Sequence, residues 1–78
     1  MASNQALQEP IGMRLRRIRK ARGYSQEQLR DISGVDLATL SRVETGKALG
    51  ENTTLGTWMK LSWALGVSID MLAGVKEF

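Results

Sequence analysis

The chain has no cysteine and no histidine. That removes disulfide staples, thiolate and imidazole metal sites, and the commonest nucleophile–base pairs. Among its 78 residues are one proline, two tryptophans, one tyrosine and one phenylalanine. A chain this short without cross-links must build its core from aliphatic and Trp side chains, or share one with a partner subunit. No apolar run is long enough for a membrane span or a signal-peptide core. The expected location is cytoplasmic, and the lack of cysteine fits a reducing compartment. There is no glycine-rich phosphate loop and no serine beside a plausible base. The carboxylates Glu27, Asp31, Asp36, Glu44, Glu51 and Asp70 form no pair at a spacing that suggests acid–base work. An enzyme is not expected, and neither is a metal or a cofactor.

What is present is charge, unevenly spread. The formal net charge is +3 and the sequence pI about 9.8. Through Arg30 there are seven Lys or Arg against two Asp or Glu, and after it four against six. A basic front on a small domain points to a polyanion, or else to a solvated basic helix.

Helical signals punctuate the chain, with no repeat and no alternating strand pattern. Residues 1–9 are polar and aperiodic and read as a flexible arm; they carry no Lys or Arg. Pro10 suits a first helical turn. Ile11, Leu15 and Ile18 make one apolar stripe, with Arg14, Arg16, Arg17, Lys20 and Arg22 mostly around it. Arg19 lies at the flank of that stripe, where a buried guanidinium needs a carboxylate. Gly23 ends the helix. Ser25 caps the next one and Gln28 completes a capping box. Leu29 and Ile32 are its apolar pair. Gly34 permits a sharp turn, Val35 plugs it, and Asp36 caps a third helix. There Leu40 and Val43 face inward, while Leu37, Ala38, Ser41 and Arg42 face mostly outward with Thr39 beside them. Gly46 ends that helix, and KALGEN is a loop. Thr53 or Thr54 caps a fourth helix whose inward face is Leu55, Trp58, Leu61 and Leu65, with Met59 and Ser62 alongside. Gly66 stops it, Ser68 caps a fifth helix over 69–73, and 75–78 is a short tail. The expected architecture is all-α, one domain over 10–74.

Two short helices across a tight glycine-containing turn, over 25–47, form a helix-turn-helix. In that motif the second helix enters the major groove. The run from RLRRIRKARGYSQEQL through SGVDLATLSRVETGK to LGTWMKLSWALGVSIDML resembles the Xre-like helix-turn-helix domains, the group of the lambdoid phage repressors. The resemblance covers most of the chain and rests on Ser25-Gln26, Gly34-Val35, Ser41, Glu44, Gly46-Lys47 and the LGVS of 65–68.

The resemblance implies a compact five-helix, lambda repressor-like domain that binds double-stranded DNA with a recognition helix over 36–45. It implies that Leu37, Ala38, Thr39 and Arg42 read bases, with Ser25, Gln26, Ser41 and Lys47 on phosphates. Arg can bond guanine bidentately, and Ala or Leu can touch a thymine methyl. Arg42 can equally be a phosphate-binding or solvated side chain. Arg19 and Glu44 match an internal ion pair. Trp63 either covers the edge of the core or forms a dimer surface with Val67, Ile69, Met71, Val75 and Phe78. Four features depart from the family pattern. Arg30 stands where Ala is usual, Asp36 brings a negative charge near the phosphate surface, KALGEN is long, and Trp63 replaces a charged residue. The expected function is a repressor-like transcriptional regulator, a homodimer on a palindromic operator. An antitoxin with a toxin partner, a restriction–modification controller and a protein-interaction module without DNA binding remain as alternatives.

Overall fold

Among the described residues, four of the five helix starts fall where a side-chain oxygen accepts from the first free backbone N–H groups. The computed structural model describes residues 10–46 and 54–74. Within them the helices are α1 (Ile11–Ala21), α2 (Gln26–Ser33), α3 (Leu37–Glu44), α4 (Leu55–Leu65) and α5 (Ile69–Ala73). At α2 the Ser25 hydroxyl accepts from the Gln28 N–H while the Gln28 amide oxygen accepts from the Ser25 N–H, a full capping box. Asp36, Thr54 and Ser68 cap α3, α4 and α5 through their side chains. Pro10 precedes α1 and offers no side-chain cap. The turn between α2 and α3 depends on Gly34, whose φ of 77° is one that side-chain-bearing residues adopt only with strain. None of these helices is long and apolar enough to cross a membrane. The expected arm 1–9, the loop 47–53 and the tail 75–78 lie outside the described residues.

Packing centres on α1, which lies against both α3 and α5, while α2 lies against α3 and α4, and α4 against α5. Leu15, Ile18, Leu29, Val35, Leu40, Val43, Leu61, Leu65 and Leu72 form the core, with Tyr24, Trp58, Ala64 and Val67 around it. Three sequence expectations change here. Arg14 is 1 % exposed rather than peripheral, because packing on two sides widens the buried face of α1 beyond its aliphatic stripe. Arg14 has an interaction partner, although its buried Nε donates no hydrogen bond among the described residues. Ile32 is 51 % exposed: it stands about 60° round the helix axis from Leu29, and so short a helix buries Leu29 alone. Leu55 is 66 % exposed, because it opens α4 a full turn before the buried positions Leu61 and Leu65.

Between α1 and α3 the two backbones come close together. A Cβ at Gly12 would lie 1.8 Å from the Val43 carbonyl oxygen. That oxygen is main chain and cannot rotate away. Gly56, on the exposed first turn of α4, is the contrast: its nearest neighbour is the Thr54 hydroxyl at 3.7 Å. Gly12→Ala is therefore expected to destabilise the domain by about 3 kcal/mol through overpacking. Gly56→Ala is expected to stabilise it by about 0.5–1 kcal/mol, since a helical glycine carries extra entropy to lose. Urea unfolding of the two variants checks the opposite signs.

Candidate nucleic-acid interface

The α3 helix is held at both ends by its own side chains. Asp36 accepts from the Thr39 hydroxyl at 2.6 Å and from the Thr39 N–H at 3.3 Å. These bonds hold the Asp36 carboxyl below its ordinary range, the hydroxyl contributing most and the charge of Arg42 adding a little. At the other end the Thr45 hydroxyl donates to the Ser41 and Arg42 carbonyls at 2.8 and 3.2 Å.

Beneath it lies the expected ion pair. Arg19 Nε donates to Glu44 Oε2 at 2.7 Å, and the NH2 nitrogen to Oε1 at 2.9 Å. The NH1 nitrogen donates to the Tyr24 carbonyl at 2.8 Å. Both side chains are buried. The bonds to Glu44 raise the Arg19 pKa despite burial, which pulls the other way. Gln26 Nε2 donates to Glu44 Oε1 at 3.1 Å, so residues of three segments meet on one carboxylate. A second brace was not visible in the sequence, where Arg22 read as surface charge: its Nε donates at 2.9 Å to the Leu65 carbonyl at the end of α4. The Tyr24 carbonyl is likewise an acceptor that no side-chain pattern could reveal.

The outer face of α3 carries Ala38, Ser41 and Arg42, all exposed, with Leu37 and Thr39, both half-buried, at its margins. The Thr39 hydroxyl proton is committed to Asp36, so toward a ligand it can only accept. The Arg42 side chain makes no hydrogen bond or ion pair among the described residues. Ser25 and Gln26 stand together at the start of α2, Ser25 exposed and Gln26 half-buried. Lys47 lies outside the described residues. Arg30 points away from the helix packing, exposed and 3.0 Å from Asp31, so the side chain that departs from the family pattern does not crowd α3.

A polar cavity of about 250 Å³ lies where α1, α2 and α3 converge, lined by Arg16, Arg19, Gln26, Glu44 and Thr45. An apolar one of about 410 Å³ lies on α4 and α5, lined by Met59, Lys60, Ser62, Trp63 and Ile69. Trp63 is 92 % exposed and covers no core. Val67 and Met71 are half-buried, and Val67 packs against the core. Phe78 and Val75 lie outside the described residues.

Removing one side of the buried pair leaves the other charge without compensation. Glu44→Ala is expected to cost about 3–5 kcal/mol, while Arg19→Met combined with Glu44→Leu recovers part of that loss. Guanidinium unfolding of the single and double variants measures the difference.

Comparison with known proteins agrees with this geometry. Residues 15–72 match the helix-turn-helix family model. The SPbeta prophage-derived uncharacterized HTH-type transcriptional regulator YonR of Bacillus subtilis (strain 168) is 41 % identical over 62 residues, which is 80 % of this chain and 55 % of that protein. The chain thus spans about half the length of the curated relative it matches. No solved structure matches it. With the buried pair, the capped turn at Gly34 and the family match all falling on one stretch, the chain belongs to the Xre-like helix-turn-helix family.

Proposed function

We propose that this chain is a sequence-specific double-stranded DNA-binding protein, a repressor-like transcriptional regulator that inserts α3 into the major groove as a homodimer. The observation that carries the reading is the outer face of α3. It presents Ala38, Ser41 and an uncommitted Arg42, on a helix whose inner side is pinned to α1 and α2 through Glu44. An exposed cation on a rigid helix is suited to bidentate contact with guanine O6 and N7, and Ala38 to a thymine methyl. Family membership and the description of YonR as a transcriptional regulator support the same reading.

Dimerisation is supported by the α4–α5 face. Monomers rarely leave a bulky aromatic beside an apolar cavity open to water, and Trp63, Met59 and Ile69 form such a patch. A two-fold dimer would place two α3 helices about 34 Å apart, one helical turn of DNA.

Selection of bound duplexes from a random pool is expected to return a two-fold symmetric site with that spacing. A pool without sequence enrichment would overturn the reading. Arg42→Ala is expected to relax the preference at one base pair per half-site, by about 1–3 kcal/mol of discrimination. Sedimentation is expected to show a dimer that Trp63→Glu converts to a monomer, with unfolding stability changed by no more than about 0.5 kcal/mol.

A further inference from the structure

Capping explains only part of Asp36. It accepts from the Thr39 N–H at 3.3 Å, the bond that starts α3. The helix dipole favours a negative charge there, but a neutral asparagine or serine caps about as well. The carboxylate is exposed at the leading end of the helix, two residues before Ala38. It forms no ion pair among the described residues. Beside a duplex such a charge costs affinity, because it lies in the field of the phosphates. The cap alone therefore does not account for an aspartate on this face.

Thr39 fixes what the carboxylate can do. Its hydroxyl donates to Asp36 Oδ1 at 2.6 Å and its N–H to Oδ2. One bond falls on each oxygen, and each oxygen keeps a lone pair. The same bonds, the hydroxyl's first, hold the carboxyl below its ordinary range, so at neutral pH it has no proton to offer. The Thr39 oxygen has given its own proton to Asp36. The two side chains thus make a surface of acceptors alone. Arg42 is the reverse, a donor-only guanidinium whose charge reaches Asp36.

In the major groove guanine shows two acceptors, and thymine an acceptor and a methyl group. Donors are found only on cytosine N4 and adenine N6. We infer that Asp36, held by Thr39, accepts a hydrogen bond from the exocyclic amine of a cytosine or adenine at one base pair of each half-site, and so makes binding depend on that amine being unmethylated. Asp36 stands outside the positions that the family resemblance assigns to bases, and its charge departs from the family pattern. An amine in a base pair uses one hydrogen on the opposite base and turns the other into the groove. A single methyl on that nitrogen takes the place of the groove hydrogen, removing the donor while the pairing hydrogen stays. Guanine or thymine at the same position sets acceptor against acceptor. The inference rests on the proposed insertion of α3 into the major groove.

The test compares wild type with Asp36→Asn, which keeps the cap and the shape but loses the charge and adds a donor. Selection with wild type should return cytosine or adenine at one position per half-site where Asp36→Asn also accepts guanine or thymine. Duplexes of the selected site carrying N4-methylcytosine or N6-methyladenine, one base at a time, then locate the amine and tell which base holds it. There methylation should weaken wild-type binding about tenfold, the loss of about one good contact to a base edge. Asp36→Asn should be nearly unaffected. Losing a charge should raise the variant's affinity for every duplex, so the ratio between duplexes is the readout. Asp70→Asn removes an equal charge from α5 and should keep both the preference and the methylation penalty. If no methylated amine distinguishes wild type from Asp36→Asn, or if the variant selects the same sequence, the amine contact is overturned and the DNA-binding reading stands. If wild type enriches no sequence, both are overturned together.

Discussion

Two opposite charges buried 25 positions apart in sequence decide how this small domain is arranged. Arg19 and Glu44 are joined by two hydrogen bonds in a parallel fork. Taking both groups from water is costly, and their attraction repays it only in good geometry. The pair is therefore an arrangement constraint more than a source of net stability. It tolerates few relative positions of α1 and α3, and through Gln26 it also captures the start of α2. A domain with no cysteine or histidine to cross-link it gains from such a pin what its limited hydrophobic core cannot supply, which is directional placement.

That constraint sorts the polar groups of the domain into those used inside and those left for a ligand. The hydroxyl protons of Thr39 and Thr45 are spent on α3 itself. Arg19 is spent on the brace, and Arg22 on the end of α4. Among the described residues, what remains on this side is sparse: Arg42, Arg16, Ser41, one N–H of Gln26 and the methyl of Ala38. A short set of uncommitted groups on a fixed frame is how a small surface obtains selectivity, because each group can answer only a few chemical partners. The Asp36 carboxylate is kept ionised by Thr39, and under the proposed function it would repel a phosphate that passes close to it.

Much of this was legible in the sequence, and what was not shares one cause. Ser25 with Gln28, Gly34 and Asp36 act within a few residues of themselves, so their roles follow from local chemistry. The Arg19–Glu44 pair was readable because an arginine at the flank of an apolar stripe needs a carboxylate, and the family resemblance pointed to which one. The burial of Arg14 and the exposure of Ile32 and Leu55 depend on how many neighbours a helix has, which periodicity does not state. Thr39 has the chemistry of a base reader, but its donor is consumed by a carboxylate three residues earlier. Arg22 has the pattern of a surface charge, yet a distant carbonyl claims it. Gly12 did leave a signal: a glycine inside a helix is costly unless another backbone needs the room.

The room at Gly12 has a consequence for how such a protein can change. At their closest approach α1 and α3 meet main chain against main chain, at a glycine facing the Val43 carbonyl. The Arg19–Glu44 pair fixes the same two helices from the inner side. The outward residues of α3 are thus free to be exchanged without moving the helix that carries them. Under the proposed function, substitution at Ala38, Ser41 or Arg42 would alter which base pairs are favoured while the reading head stays in the same place. A lineage can then acquire a new operator one residue at a time, without passing through an unfolded ancestor.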